Sequence, residues 1–229
     1  MHLTPDQIVF FRAGFVHINA TIACTWLLIA LLTCTSWLVT RHLAGPEEAR
    51  SRWQNALEIV VGTIREQIRV VCPAGADTYL PFIGSLFLFI TFSSVLEILP
   101  GWHAPTASLS TTAALAISTG VAVPVFGVLS QGLGGYFRHY LRPTPIMLPF
   151  HLLSETSRNL ALALRLFGNI MSEALIGAML LAIAPFFFPV PMQMLALLTG
   201  VIQAYVFSIL SMVYIAAAVN RGQDQESKS

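Results

Sequence analysis

Charge is what this sequence lacks most. Asp, Glu, Lys and Arg make up 10% of its 229 residues, where a soluble domain carries about 25%. So little charge cannot coat a water-facing surface, which excludes an ordinary soluble enzyme. The 12 basic and 11 acidic residues leave a formal charge of +1, which argues against nucleic acid as a partner. Cysteine is also scarce. Cys24, Cys34 and Cys72 have neither metal-ligand spacing nor a disulfide pattern, and the first two, inside an apolar run, are expected to be packing residues. His17, His103, His139 and His151 are scattered and are expected to be structural or solvated. The glycines around Gly132-Leu133-Gly134-Gly135 lack the lysine of a phosphate-binding loop. Neither cofactor nor metal is therefore expected. Inverted repeats of the kind found in many transporters and low-complexity tracts are missing as well. The first residues do not read as a secretory signal, because Asp6 and Arg12 interrupt them and the apolar run that follows is too long for an h-region.

Long apolar stretches fill the space that charge leaves. Hydrophobic residues make up 55% of the chain, in runs of the roughly 20 residues that a bilayer crossing needs. The reading is an all-α polytopic membrane protein forming one membrane domain, 1–229. Five spans are expected at about 17–40, 79–99, 107–130, 150–184 and 191–219. Between the first two, residues 46–71 alternate Trp53, Leu57, Val60, Ile64 and Ile68 with Arg52, Glu58, Arg65, Glu66 and Arg69. That is a helical period with one charged face, expected to lie along the membrane surface or pack on neighbouring subunits. Residues 132–149 read as a loop. Basic residues gather after span one, between spans three and four, and in the tail. The positive-inside rule makes those segments cytoplasmic, placing the amino terminus outside and the carboxyl terminus inside.

The last two spans are unusual. The fourth, about 34 residues, would reach roughly 50 Å as a helix, while the hydrocarbon core is only about 30 Å thick. It must tilt, kink or protrude. It also carries Glu155, Arg158, Arg165, Asn169, Ser172 and Glu173 on roughly one side of an apolar helix. Arg165 is the informative residue. It lies far from either end, costs between about 3 and more than 10 kcal/mol at the centre of a bilayer, and cannot shed its proton. From the residues alone, two readings stay open. Arg165 either pairs with an acid of its own bundle, Glu173 or Glu97, or serves an ion path. On the fifth span Thr199, Gln203 and Tyr214 are polar. Gln203 could hydrogen-bond Arg165 across the hairpin or act as helix–helix glue. Tyr214 shares its face, and alone would read as an interfacial anchor.

These residues also carry a resemblance. Leu164-Arg165-Leu166-Phe167-Gly168-Asn169 resembles the central motif of the F-type ATP synthase a subunits. Ile202-Gln203-Ala204-Tyr205-Val206-Phe207, with Val213-Tyr214-Ile215-Ala216-Ala217, is similar to their final helix. Pro143-Thr144-Pro145-Ile146-Met147-Leu148-Pro149 fits as well, and the likeness runs from about Pro81 onward. The stretch Pro105-Thr106-Ala107-Ser108-Leu109-Ser110 and the short chain look like the bacterial variant called the N-type ATPase.

The resemblance implies a non-catalytic stator subunit of a rotary motor in a bacterial inner membrane. Its implied partners are a ring of c subunits, the b subunits of the peripheral stalk and the rest of the complex. Two half-channels would carry ions to and from the ring carboxylates. Protons or Na⁺ would be selected by the ring's own site. By this likeness Arg165 faces the ring, Asn169 and Gln203 orient it or line the path, Glu173 with Glu97 belongs to the outer half-channel, and Glu155 with Arg158 to the inner mouth. Two departures stand out. Ser172 leads straight to Glu173, so the acid comes one residue earlier than in many members, about 100° around the helix. Ala196 stands where some members have a histidine. The competing readings are a stand-alone transporter that binds an anionic substrate at Arg165 and a purely structural membrane subunit.

Overall fold

A computed structural model describes residues 9–13, 16–40, 52–73, 75–98, 104–141, 147–183 and 187–226. Among these residues six long helices follow a small hairpin: α1 Ala20–Thr40, α2 Arg52–Val71, α3 Ala76–Leu96, α4 Leu109–Leu141, α5 Met147–Ile183 and α6 Pro189–Glu226, with one 3₁₀ turn, Pro105–Ala107, ahead of α4. All but α2 are long and apolar enough to cross a membrane. The chain is thus an all-α polytopic membrane protein with five spanning helices, as its apolar runs predict.

The ends of the elements differ from the sequence reading in instructive ways. Residues Val16–Asn19 are extended and pair antiparallel with Val9–Ala13, Arg12 opposite His17. Helix α1 therefore starts at Ala20 rather than near 17. α4 does not stop at Ser130. Its backbone continues helically to Leu141 across one break at Gly132, which adopts φ 75°, a left-handed conformation that glycine takes at little cost. Of the loop expected at 132–149, residues 132–141 and 147–149 are thus in helices, and 142–146, with Arg142, Pro143 and Pro145, lie outside the described residues. α5 and α6 begin at Met147 and Pro189, so that Pro149, Pro189 and Pro191 all sit in a first turn, where the missing N–H costs nothing. Residues 46–51, His103 and Pro185 fall outside the described residues. Of the two cysteines expected to pack, Cys34 is exposed and Cys24 half-buried, whereas Cys72 is buried. The physical reason is that α1 has few neighbours within the chain: only 11% of its span is buried.

α6 is the central element, packed along α3 and α4, while α4 also packs along α5. Two clusters hold them together. One joins Ile68 and Cys72 to Tyr79 and Ile83 of α3, Val123 of α4, and Met212, Ile215 and Val219 of α6. The other joins Leu86 and Ile90 of α3, Ala116 of α4, Leu162, Leu166 and Ile170 of α5, and Ala204 and Phe207 of α6. In α5 the buried residues recur at the spacing of one helix face. Lipid offers no hydrophobic drive for this association, so close fit and small residues must supply it. They do so at two glycines. A side chain at Gly200 of α6 would collide with Ser94 of α3, and one at Gly120 of α4 with Asn159 of α5. Hydroxyl pairs add bonds between segments: Thr119 with Ser211 at 3.3 Å and Ser93 with Thr106 at 3.1 Å.

α2 has a packed side and a charged side, although Val60, expected on the apolar face, is exposed. Ile64 and Ile68 turn toward α3 and α6, while Glu58, Arg65, Glu66 and Arg69 are exposed. It is fastened by the ion pair of Arg65 with Asp77 and by Tyr205, whose hydroxyl donates to Gln67 Oε1 at 3.1 Å.

Two outcomes follow from this packing. Gly200→Ala should destabilise the purified protein in detergent by about 1–3 kcal/mol, read as a lower melting temperature, and Ser94→Gly in the same chain should recover part of that loss. Asp77→Asn should cost no more than about 1 kcal/mol, because both partners of that pair are largely solvated.

Candidate functional site

The last two helices form an antiparallel hairpin whose register is set by two polar contacts. Near one end the guanidinium of Arg158 lies over the ring of Tyr214, 5.4 Å from its centroid. Toward the other, Thr199 Oγ1 donates to Glu173 Oε1. Moving 15 residues up α5, from Arg158 to Glu173, moves 15 residues back along α6, from Tyr214 to Thr199. The same register sets Gln203 across from Asn169, and Phe207 across from Arg165.

Around Glu173 the structure brings several predicted residues together. Asn169, one turn earlier on α5, donates from Nδ2 to Glu173 Oε1 at 3.3 Å. Glu97, at the C-terminal end of α3, lies close enough for its carboxylate to feel that of Glu173. Gln193 of α6 donates to the Ile98 carbonyl at 3.2 Å and ties the two helix ends together there. Three helices thus converge on one polar cluster. At the far end of α5, Glu155 stands one turn from Arg158, which engages Tyr214.

Arg165 stands between these two groups and joins neither. It is exposed, and among the described residues it has no hydrogen bond or ion pair. It projects from a stripe of α5 containing Leu153, Leu160, Leu164, Ile176 and Met179, all exposed. A permanent cation therefore sits on an exposed, largely apolar face, with Ser154 and Ser172 as its exposed polar neighbours. The pairing of Arg165 with Glu173 or Glu97 does not occur. Glu173 is eight residues further on, about 12 Å along the axis, and its oxygen is taken by Thr199 and Asn169.

The bond from Gln203 to Arg165, one of the two readings open for Gln203, is likewise not made. Gln203 is 8% exposed, and its Nε2 is buried without a partner. The register explains this: Gln203 lies level with Asn169, one turn beyond Arg165, and points into the bundle rather than toward the exposed stripe. Ser208 Oγ and Thr91 Oγ1 are also buried without partners. Neither was foreseen, since hydroxyls in apolar helices commonly satisfy themselves on their own backbone. Thr199 was legible as polar, but its contact with Glu173 depends on the hairpin register, which the sequence does not state. Among the described residues, no group of three or more His, Cys, Asp or Glu could hold a metal ion.

Comparison with known proteins bears on this arrangement. Residues 22–216 match the family model described as "ATP synthase A chain". Among relatives, the chain is 55% identical over 218 residues to "ATP synthase subunit a 2" of Acaryochloris marina, covering 95% of this chain and 93% of that one. It is 56% identical over 218 residues to "ATP synthase subunit a 1" of Chlorobium luteolum, covering 95% and 97%. To "ATP synthase subunit a" of Albidiferax ferrireducens it is 56% identical over 218 residues, covering 95% and 94%. A match of this extent, over a five-span bundle with a lone arginine on its open face, shows that the chain belongs to the ATP synthase A chain family, the membrane-embedded, non-catalytic a subunits of ATP synthase.

Proposed function

We propose that the open face of α5 around Arg165 is where this subunit meets the rotor, a ring of c subunits each bearing a carboxylate at membrane depth. The observation that carries the reading is the exposed guanidinium with no anion partner among the described residues. Such a charge is expensive in lipid, and a ring of acids sliding past it supplies the missing counter-ion. Arg165 favours the ionised form of each arriving carboxylate and so drives its proton off. It cannot itself accept or lose a proton, which makes it a barrier to direct leakage along the interface.

The two polar groups on either side of Arg165 fit two offset half-channels. Glu173, Asn169, Thr199 and Glu97 would line the outer one. Gln203, with an amide N–H to offer inside the bundle, would extend it toward the ring. Glu155, Arg158 and Tyr214 would mark the inner mouth. The basic segments after α1 and ahead of α5 support a cytoplasmic position for that mouth and for the carboxyl terminus, with the amino terminus outside. The sparsely buried α1 leaves apolar surface for other membrane subunits, the b subunits of the peripheral stalk among them.

In the assembled complex, Arg165→Ala should abolish coupled proton pumping, measured as quenching of a pH-sensitive dye in inverted membrane vesicles. Subunit content should stay unchanged. Vesicles that still pumped protons at the native rate with alanine at 165 would overturn the reading.

A further inference from the structure

Thr199 has three acceptors and one proton to give. Its Oγ1 lies 2.8 Å from the Leu195 carbonyl and 3.1 Å from the Ala196 carbonyl of its own helix, and it also contacts Glu173 Oε1. A hydroxyl carries one donor hydrogen and two acceptor lone pairs, so the three bonds cannot all be made at once with Thr199 donating. They sort instead into two arrangements.

When Glu173 is ionised, the hydroxyl turns to it, and the carboxylate accepts from Thr199 and from Asn169 Nδ2. When Glu173 carries a proton, its own O–H becomes a donor. It can then give to Thr199 Oγ1, while the Thr199 hydrogen swings back to the Leu195 carbonyl. The proton that arrives from the outer side forms an O–H bond on the Glu173 carboxylate, and the same bond breaks when it moves on. No other bond is made or broken, and the Thr199 hydroxyl and the Glu173 carboxyl each keep a hydrogen-bond partner in either state.

We infer that Thr199 is a two-position hydrogen-bond donor that follows the protonation state of Glu173 and holds its carboxylate toward α6. The inference rests on the half-channel reading above, and it is specific to this chain's layout. Glu173 comes one residue earlier than in many a subunits, and a partner directly across the hairpin holds it there. Thr199 is a positioning residue, since the ion itself passes by Glu173. The ionisable side chains of the surrounding spans are few. Glu97 from α3 is the neighbouring carboxylate, Arg165, Arg158 and Glu155 lie on the same helix, α4 contributes none over 109–130, and α6 brings only Tyr205 and Tyr214 over 189–219.

The test uses the complete complex in inverted vesicles, with proton conduction followed as a function of pH. Thr199→Val keeps the shape and removes the donor, which should make Glu173 hold its proton to higher pH. The midpoint of the conduction profile should move up by about one pH unit, the scale of a hydrogen bond to a charged group. Thr199→Ser should restore the native profile, which a purely steric role for threonine would not. Thr199→Ala serves in place of valine if valine blocks assembly. A native profile in the variant lacking the hydroxyl, or no restoration by serine, overturns the inference. Native conduction in Glu173→Gln would overturn it too, while leaving the role of Arg165 intact. Pumping that survives Arg165→Ala would instead remove the reading on which it rests.

Discussion

An unpaired guanidinium on an apolar helix face is the constraint from which the rest of this molecule can be understood. A charge in lipid is costly, and the ordinary remedy is an internal acid or a hydrated cavity. Arg165 has no acid partner among the described residues and projects from an exposed stripe. The chain alone is therefore electrostatically incomplete. Its acids are kept away from the arginine by geometry: Glu173 is turned to Thr199 and Asn169, and Arg158 marks the other end against Tyr214. Each functional group is held by something other than Arg165, and that leaves the arginine available to a partner.

Keeping these groups apart requires a fixed hairpin register. Helices in a membrane slide easily if only greasy surfaces meet, because lipid tails are as apolar as leucine. Here α5 and α6 are pinned at two levels fifteen residues apart, and the close approach of Gly200 to Ser94 anchors α6 to α3. Glycine is required at that place by proximity alone. A slip of one turn would set Gln203 against Arg165 and Thr199 beyond the reach of Glu173. Packing and chemistry are thus set by the same few contacts.

Much of this was legible in the residues. Five spans and one two-faced helix follow from run length and period, because the bilayer imposes its thickness on every crossing. Arg165 stands out because its cost is intrinsic and independent of tertiary detail. What the sequence hid was relational. The pairing of Val9–Ala13 with Val16–Asn19 depends on a partner strand, and the helical continuation past Gly132 depends on one backbone conformation. Which of the two readings of Gln203 applies was hidden for a similar reason. A spacing of eleven residues places Gln203 and Tyr214 on one face, yet only the hairpin register says which residue of α5 lies opposite. The exposure of Cys34 is hidden in the sequence because an apolar run does not reveal whether its neighbours are helices of the same chain or lipid.

The choice of partners for Glu173 completes the argument. A carboxylate that must alternate between charged and neutral cannot be held by a lysine or arginine at contact distance, since a fixed cation would pin it in the ionised form. A purely apolar wall would pin it in the neutral form. Threonine and asparagine do neither. Both donate to a carboxylate, and both offer an oxygen to a carboxylic acid. Arg165, the nearer of this helix's two arginines, sits about 12 Å away along the axis, on the open stripe. Separating the permanent charge from the group that cycles is what lets a single helix both block leakage and pass protons.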